Sequence, residues 1–194
     1  MKNNGSKNLG RPRDESLTPA VMAAARNLVK THGYSAVSFN MISKESGVAR
    51  QSLQRRWTSK AELVVDSFLD SFVKTEFSAF LPLEGALRRY LSDLTACLRE
   101  NAAGIKTLVV EAQADRELQD TFKTRFLDPR RSFMSRILNA AKSRGELSPR
   151  INIQVAVSVF HAFLLYNVAS GEVMDTTLID AAIRNITGLG GEDA

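Results

Sequence analysis

The fold is decided by the stretch SFNMISKESGVARQSLQRRW, residues 38–57. Ile42 gives a first short helix an apolar side, and Leu53 and Trp57, four residues apart, do the same for a second. Gly47 lies between them, where the chain needs a backbone with positive φ and a Cβ would cost energy. The stretch therefore predicts two short helices joined by a tight turn.

The outward face of the second helix consists of side chains that form hydrogen bonds with DNA. Its members are Arg50, Gln51, Ser52, Gln54, Arg55 and Arg56. Such side chains can reach base edges and phosphates. A short helix that is apolar inside and polar or basic outside, after a glycine turn, is what a reader of the major groove requires. The alternative is a helical hairpin whose basic face is simply solvated.

Basic residues are concentrated in the first third of the chain. Residues 1–60 carry eleven Lys or Arg and three Asp or Glu, whereas residues 61–194 carry fifteen bases and eighteen acids. This asymmetry points to nucleic acid or an anionic membrane surface as the partner of the first third.

Two segments beside the motif add to the DNA interpretation. Ser59 and Glu62 form a capping box that opens the next helix, and Lys60 places a cation at that helix N-terminus, which favours phosphate. Before the first helix, Arg11 and Arg13 lie in a Gly-Arg-Pro-Arg arm that suits a narrow minor groove. In the simpler interpretation Ser59 is only a cap and Lys60 is only exposed.

Apolar residues recur at helical spacing along the chain, and no strand-like alternation or hairpin turn occurs. The sequence therefore predicts an all-α fold, with a head at 1–60 and a larger helical domain at 61–194. The predicted helices are 19–32, 39–46, 50–57, 60–80, 84–100, 103–114, 117–127, 129–144, 153–169 and 176–187. The predicted N-caps are Thr18 and Asp128, each followed by proline, and Asn152 and Asp175.

Several classes of protein are disfavoured by composition. The one cysteine, Cys97, cannot form an internal disulfide, and the polar N-terminus does not resemble a secretory signal. The most apolar stretch, 155–168, is interpreted as too short and too polar to span a membrane, so we expect a cytoplasmic protein. With two histidines and no phosphate loop, nucleophile elbow or metal-ligand spacing, we expect no enzyme, cofactor or metal site.

From Thr18 to about Leu63 the sequence resembles the TetR (tetracycline-repressor) family of transcription regulators. The matching segments are His32–Tyr34, Val37–Phe39, Ile42–Val48, Leu53–Trp57 and Ser59–Leu63. The resemblance implies a three-helix helix-turn-helix head on a larger helical ligand-binding and dimerisation domain. The second half resembles one C-terminal subclass at Glu111–Leu118, Phe126–Arg131 and Arg144–Leu147, which identifies no ligand.

The resemblance also gives roles to the polar residues of the head. The residues that it implies for base edges are Arg50, Gln51 and Ser52, and it implies contacts with the DNA backbone for Thr18 and Lys60. From their own chemistry, we expect phosphate contacts as well from Gln54, which can donate a hydrogen bond, and from the cationic Arg55 and Arg56. Gln54 stands where the family usually has an aromatic residue, and Arg56 where it often has His or Tyr. The operator sequence therefore cannot be inferred by analogy.

The predicted helix 153–169 is apolar nearly all round and must be buried on more than one side. In the resembled family the last two long helices form a four-helix bundle with a partner subunit. The interface residues expected on this basis are Val159, Phe160, Phe163, Tyr166, Leu178 and Ile179. The alternative is a core helix of a monomer.

The resemblance places a small-molecule pocket between the middle helices, about 84–144. Its expected lining is Tyr90, Leu94, Cys97, Glu111 and Phe133. Glu111 could pair with a cationic ligand, or it could form a structural bond to Arg125 or Arg130, which we favour. Cys97 and His161 are interpreted as core residues.

The leading functional hypothesis is a homodimeric repressor that a small molecule releases from a palindromic operator on double-stranded DNA. The alternative is a DNA-binding regulator or architectural factor of the same fold with no inducer.

Overall fold

The computed structural model describes residues 17–69, 81–172 and 175–188, and these residues form helices and no strand. The helices are α1 (Leu17–His32), α2 (Phe39–Ser46), α3 (Arg50–Arg56), α4 (Lys60–Leu69), α5 (Leu83–Glu111), α6 (Arg116–Thr121), α7 (Asp128–Ser143), α8 (Ile153–Ser170) and α9 (Thr176–Thr187). A π-helical turn, Phe122–Leu127, joins α6 to α7. The all-α prediction is confirmed. The predicted arm with Arg11 and Arg13, and the predicted helix beyond residue 69, lie outside the described residues.

The head, α1 to α3, folds as its sequence pattern predicts. Gly47 has a φ of 70° and ends α2 in the left-handed region, where glycine carries no Cβ penalty. Ile42, Leu53 and Trp57 are buried between the helices. Thr18 is not the N-cap of α1, because the helix already includes Leu17.

The predicted helices 84–100 and 103–114 are one continuous helix, α5, so the predicted break was wrong. Asn101 lies within this helix, and its side-chain Nδ2 donates to the carbonyl of Cys97 in the preceding turn, at 3.1 Å. Gly104 is buried within α5, and a Cβ there would overlap the ring of Phe68 from α4. The glycine therefore serves close helix packing rather than a turn.

The predicted break before Pro129 is also absent, since the π-helical turn carries the chain from α6 directly into α7. The N–H of Asp128 donates to the carbonyl of Lys123, five residues back. Asp128 has helical backbone angles, so it is not an N-cap. Pro129, which has no N–H to donate, lies in the first turn of α7 directly after this shifted bond.

The predicted caps of the last two helices are confirmed. Asn152 Oδ1 accepts from the N–H of Val155 at 3.1 Å, and Asp175 Oδ1 accepts from the N–H of Leu178 at 2.8 Å. Of the two helices that these residues cap, α8 packs on α5 and α7, and α9 packs on α5. The long helix α5 also contacts α1, so it runs from the head through the centre of the body.

Helix α8 is more apolar than the sequence interpretation allowed. Its 18 residues have a mean hydropathy of 1.5, so by length and composition alone the helix could cross a membrane. However, core helices of soluble proteins pass the same test. Phe160 and Leu164 of α8 are buried within this protein, which is the packing expected of a core helix.

Candidate nucleic-acid interface

The outward face of α3 carries the polar side chains that the sequence predicts for DNA contact. Leu53 and Trp57 are buried on its inner side, at 1% and 4% exposure. The exposed residues are Arg50, Gln51, Gln54, Arg55 and Arg56. Ser52 is half-buried and accepts from Arg55 Nη2 at 3.0 Å.

Neighbouring helices orient two of these arginines. Arg50 Nη1 donates to Asn40 Oδ1 of α2 at 3.0 Å, and Arg56 Nη1 donates to the hydroxyl of Thr18 in α1. The exposed face therefore includes one residue from each neighbouring helix. Sequence reasoning missed Asn40, and its signal was a polar residue on the exposed side of α2.

Lys60 begins α4 but faces the interior of the junction rather than open solvent. Its Nζ donates to the carbonyl of Tyr34 at 3.0 Å and lies 3.9 Å from the centre of the Tyr34 ring. Partial burial lowers the pKa of Lys60, although the nearby acidic residues Asp115, Glu111 and Glu117 oppose that shift. To reach a phosphate, this ammonium would have to leave the Tyr34 carbonyl.

Two family models match most of this chain. Residues 21–66 match the model of bacterial regulatory proteins of the tetR family, and residues 82–186 match the model of the tetracyclin repressor-like C-terminal domain. The chain belongs to the TetR family. It is therefore a DNA-binding transcription regulator with a helix-turn-helix head, and not an enzyme.

Individual proteins of the family are similar along nearly the whole chain. The HTH-type transcriptional regulator YdeS of Bacillus subtilis is 26% identical over 186 residues, which is 93% of each chain. The DNA-binding transcriptional repressor TetR of Mycobacteroides abscessus is 25% identical over 182 residues, 90% of this chain and 93% of that one. The solved structure of the TetR family transcription regulator SCO0332 superposes with a TM-score of 0.65 at 22% identity, covering 90% of this chain and 98% of that chain.

Glu111 does not lie in the expected ligand pocket of this TetR-family body. It stands at the end of α5, where its carboxylate accepts from the N–H of Tyr34 at 2.8 Å and from the N–H of Ser35 at 2.7 Å, and also from the Ser35 hydroxyl. The structural interpretation is correct, but the predicted partners Arg125 and Arg130 are wrong. The long helix α5 brings Glu111 to the turn after α1 instead.

The turn after α1 has a glycine, Gly33, next to the Glu111 carboxylate. Gly33 has a φ of +79°, which favours glycine, and a Cβ there would stand 3.1 Å from Glu111 Oε1. The His-Gly-Tyr segment therefore provides both the turn and the space for a carboxylate from the body.

The other expected pocket residues do lie together in the core of the body. Tyr90, Leu94 and Cys97 are buried on α5, and half-buried Phe133 of α7 stacks on Tyr90 with ring centres 5.2 Å apart. Tyr90 Oη lies 3.4 Å from His161 Nε2 and 3.4 Å from the carbonyl of Arg130. An apolar core with a few polar atoms is the composition typical of ligand sites.

His161 is buried in this core. Its Nδ1 lies 2.7 Å from the carbonyl of Val157, so Nδ1 carries a proton, and its Nε2 lies 3.4 Å from Tyr90 Oη. Burial lowers the pKa of His161, which favours the neutral ring. Burial also lowers the pKa of Arg130, to about 10, while its guanidinium lies 3.9 Å above the Phe126 ring.

The expected dimer residues divide into two groups. Val159 and Tyr166 are 44% and 63% exposed, and Phe163 and Leu178 are half-buried. Phe160 and Ile179 are buried within the chain itself, at 0% and 4% exposure. The prediction that these two contact a partner is therefore wrong, because packing inside the body leaves them no surface. Val155, an apolar residue of the same helix α8, is 58% exposed.

Replacing Glu111 by Ala should weaken the attachment of the head to the body. The amides of Tyr34 and Ser35 lose a charged acceptor, so the free energy of unfolding should fall by about 1–3 kcal/mol. Urea denaturation measures this change. The matched control is Glu117→Ala on α6, an exposed acid near the same turn, which should stay within about 0.5 kcal/mol of wild type. Equal losses in both variants would contradict the assigned role.

Proposed function

We propose that this TetR-family protein is a homodimeric cytoplasmic repressor, released from a palindromic operator by a small-molecule effector. Residues 1–60 form its DNA-binding head and residues 61–194 its ligand-binding and dimerisation domain. The observation that carries the proposal is the exposed polar face of α3, held on a head whose α1 packs on α4 and α5 of the body.

In the proposed complex α3 lies in the major groove. Arg50, Gln51 and Ser52 contact base edges, and Thr18, Gln54, Arg55, Arg56 and Lys60 contact phosphates. Arg11 and Arg13 of the N-terminal arm enter the adjacent minor groove. Asn40 supports Arg50 through the bond between their side chains, which favours a fixed guanidinium over a mobile one.

Arg50→Ala tests this docking. On an operator selected from random DNA with the wild-type protein, the variant should lose about 1–3 kcal/mol of binding free energy if Arg50 makes a bidentate base contact. Fluorescence anisotropy at fixed salt measures operator and non-operator DNA in parallel. Lys106→Ala, which removes an exposed cation from α5, is the control and should leave operator preference unchanged. An Arg50→Ala variant with the wild-type preference would refute the docking.

The dimer part of the proposal is supported by the exposed apolar side of α8. Val155, Val159 and Tyr166 follow one another at helical spacing and are all at least 44% exposed. With half-buried Phe163 and Leu178 they form the proposed interface. Two half-sites of an operator require two heads about 34–36 Å apart, which a dimer supplies.

Val159→Glu should convert the protein to a monomer, because the dimer would bury an unpaired carboxylate. Sedimentation velocity measures the assembly state. Ala103→Glu makes the same kind of change at an exposed position on α5 and should leave the dimer intact. A dimeric Val159→Glu variant would place the interface elsewhere.

The effector part is supported by the polar atoms of Tyr90, Arg130 and His161 within the apolar core. Burying polar groups costs free energy, and ligand sites are a common reason to retain them. The alternative function, a regulator or architectural factor without an inducer, needs no such cluster.

Linkage gives the effector a quantitative test. A thermal-shift screen first finds compounds that stabilise the protein. If such a compound weakens operator binding by some factor, typically between about 5 and 150, the operator must weaken binding of the compound by the same factor. Titration calorimetry with and without operator measures both. Tyr90→Phe should lower affinity for the compound while leaving operator affinity unchanged in its absence. If no stabilising compound changes operator affinity, the alternative function holds.

A further inference from the structure

Arg125, on the π-helical turn, links the body to α4 through two carboxylates. Its Nη1 lies 2.9 Å from both Asp66 oxygens, and its Nη2 lies 2.7 Å from Glu62 Oε1. The side chains are 38% exposed for Arg125, 25% for Asp66 and 21% for Glu62, so solvent screens these pairs less than a surface pair. The ion pairs with Asp66 and Glu62 raise the pKa of Arg125 against the opposing effect of burial.

Each of these carboxylates also holds one residue of the connection that follows α3. Asp66 Oδ2 accepts from Trp57 Nε1 at 2.9 Å, and Glu62 Oε2 accepts from the N–H of Thr58 at 2.8 Å. Trp57 is the first residue after α3, and its own N–H donates to the carbonyl of Leu53 at 2.9 Å. A single guanidinium is therefore connected through two acids to the end of the DNA-reading helix.

The opposite side of the π-helical turn is part of the body core. Phe122 and Phe126 stack with ring centres 4.7 Å apart, and Arg130 Nη1 donates to the carbonyl of Phe126 at 2.6 Å. Phe126 is buried, whereas Arg125 beside it faces α4. One turn thus contacts both the polar core cluster and α4, whose acids bind Trp57 and Thr58 after α3. Such π-helical turns are frequent at functional sites.

We infer that Arg125 is a positioning residue for operator recognition, which fixes the C-terminal end of α3 through Asp66 and Glu62. This inference rests on the proposed docking of α3 in the major groove. Without the guanidinium, the two carboxylates lie one helical turn apart on α4 and repel each other. Asp66 then turns toward water and releases the Trp57 indole, so the end of α3 loses its fixed position.

The test compares Arg125→Met with Lys123→Met, which removes an exposed cation from the same turn. Arg125→Met should lose between about 2-fold and 30-fold in operator affinity relative to Lys123→Met, with equal affinity for non-operator DNA. Trp57 is the single tryptophan of the chain, so its emission reports on this contact directly. The emission of Arg125→Met should move to longer wavelength, and that of Lys123→Met should not move.

Arg125→Lys keeps the charge but cannot span both acids, so its loss of operator affinity should be intermediate. If far-UV circular dichroism shows that Arg125→Met does not fold, Arg125→Lys takes its place in the comparison. Arg125 variants with the operator affinity of Lys123→Met, or with the wild-type emission, would overturn the inference. If Arg50→Ala weakens operator binding in the same assay while the Arg125 variants do not, the docking stands and only the inference fails. If Arg50→Ala also has no effect, the proposed docking itself fails.

Discussion

Helix α3, which we propose reads the DNA, is too short to hold its own position. Helix α3 has seven residues, and isolated helices shorter than about 12–15 residues are marginal in water. Its rigidity must come from outside, through the burial of Leu53 and Trp57 and through contacts at its ends. The rest of the structure can be understood as a set of supports for this one helix.

Those supports differ in kind along the chain. Apolar packing of α1 against α4 and α5 holds the head in place but is not directional. The polar contacts are directional: Glu111 binds the turn after α1, and the acids of α4 bind Trp57 and Thr58. Because a hydrogen bond depends on angle and distance, these contacts specify an orientation that apolar packing alone would leave loose.

Much of the fold follows from local signals in the sequence. The turn at Gly47 and the caps at Asn152 and Asp175 depend on residues within a few positions, and the structure has all three. The errors came where a distant residue decides the outcome. The predicted break at 101–102 is absent from α5, which packs closely on Phe68 of α4 at Gly104. The predicted helix start at Pro129 is absent because a shifted hydrogen-bond register continues the helix through Asp128.

The same distinction applies to the candidate site. The exposed face of α3 could be predicted because the helical period alone separates Leu53 and Trp57 from the polar residues. The role of Glu111 could not, because its partners lie 76 and 77 residues earlier in the chain. No local pattern distinguishes a carboxylate that faces a ligand pocket from one that binds two backbone amides of another segment.

Helix α8 has apolar residues both on the side that packs in the core and on the side that is exposed. Its apolar residues surround the helix, yet only one side, with Phe160 and Leu164, is needed for the core of the chain. Val155, Val159 and Tyr166 remain at 44–63% exposure. An exposed apolar side of this kind is what the proposed dimer interface requires. Helix α8 packs on α5, and α5 contacts the head and carries Glu111 at its end. A partner bound to α8 would therefore lie against a direct neighbour of α5. In the proposed dimer, α5 would therefore be the element that connects the interface helix to the head.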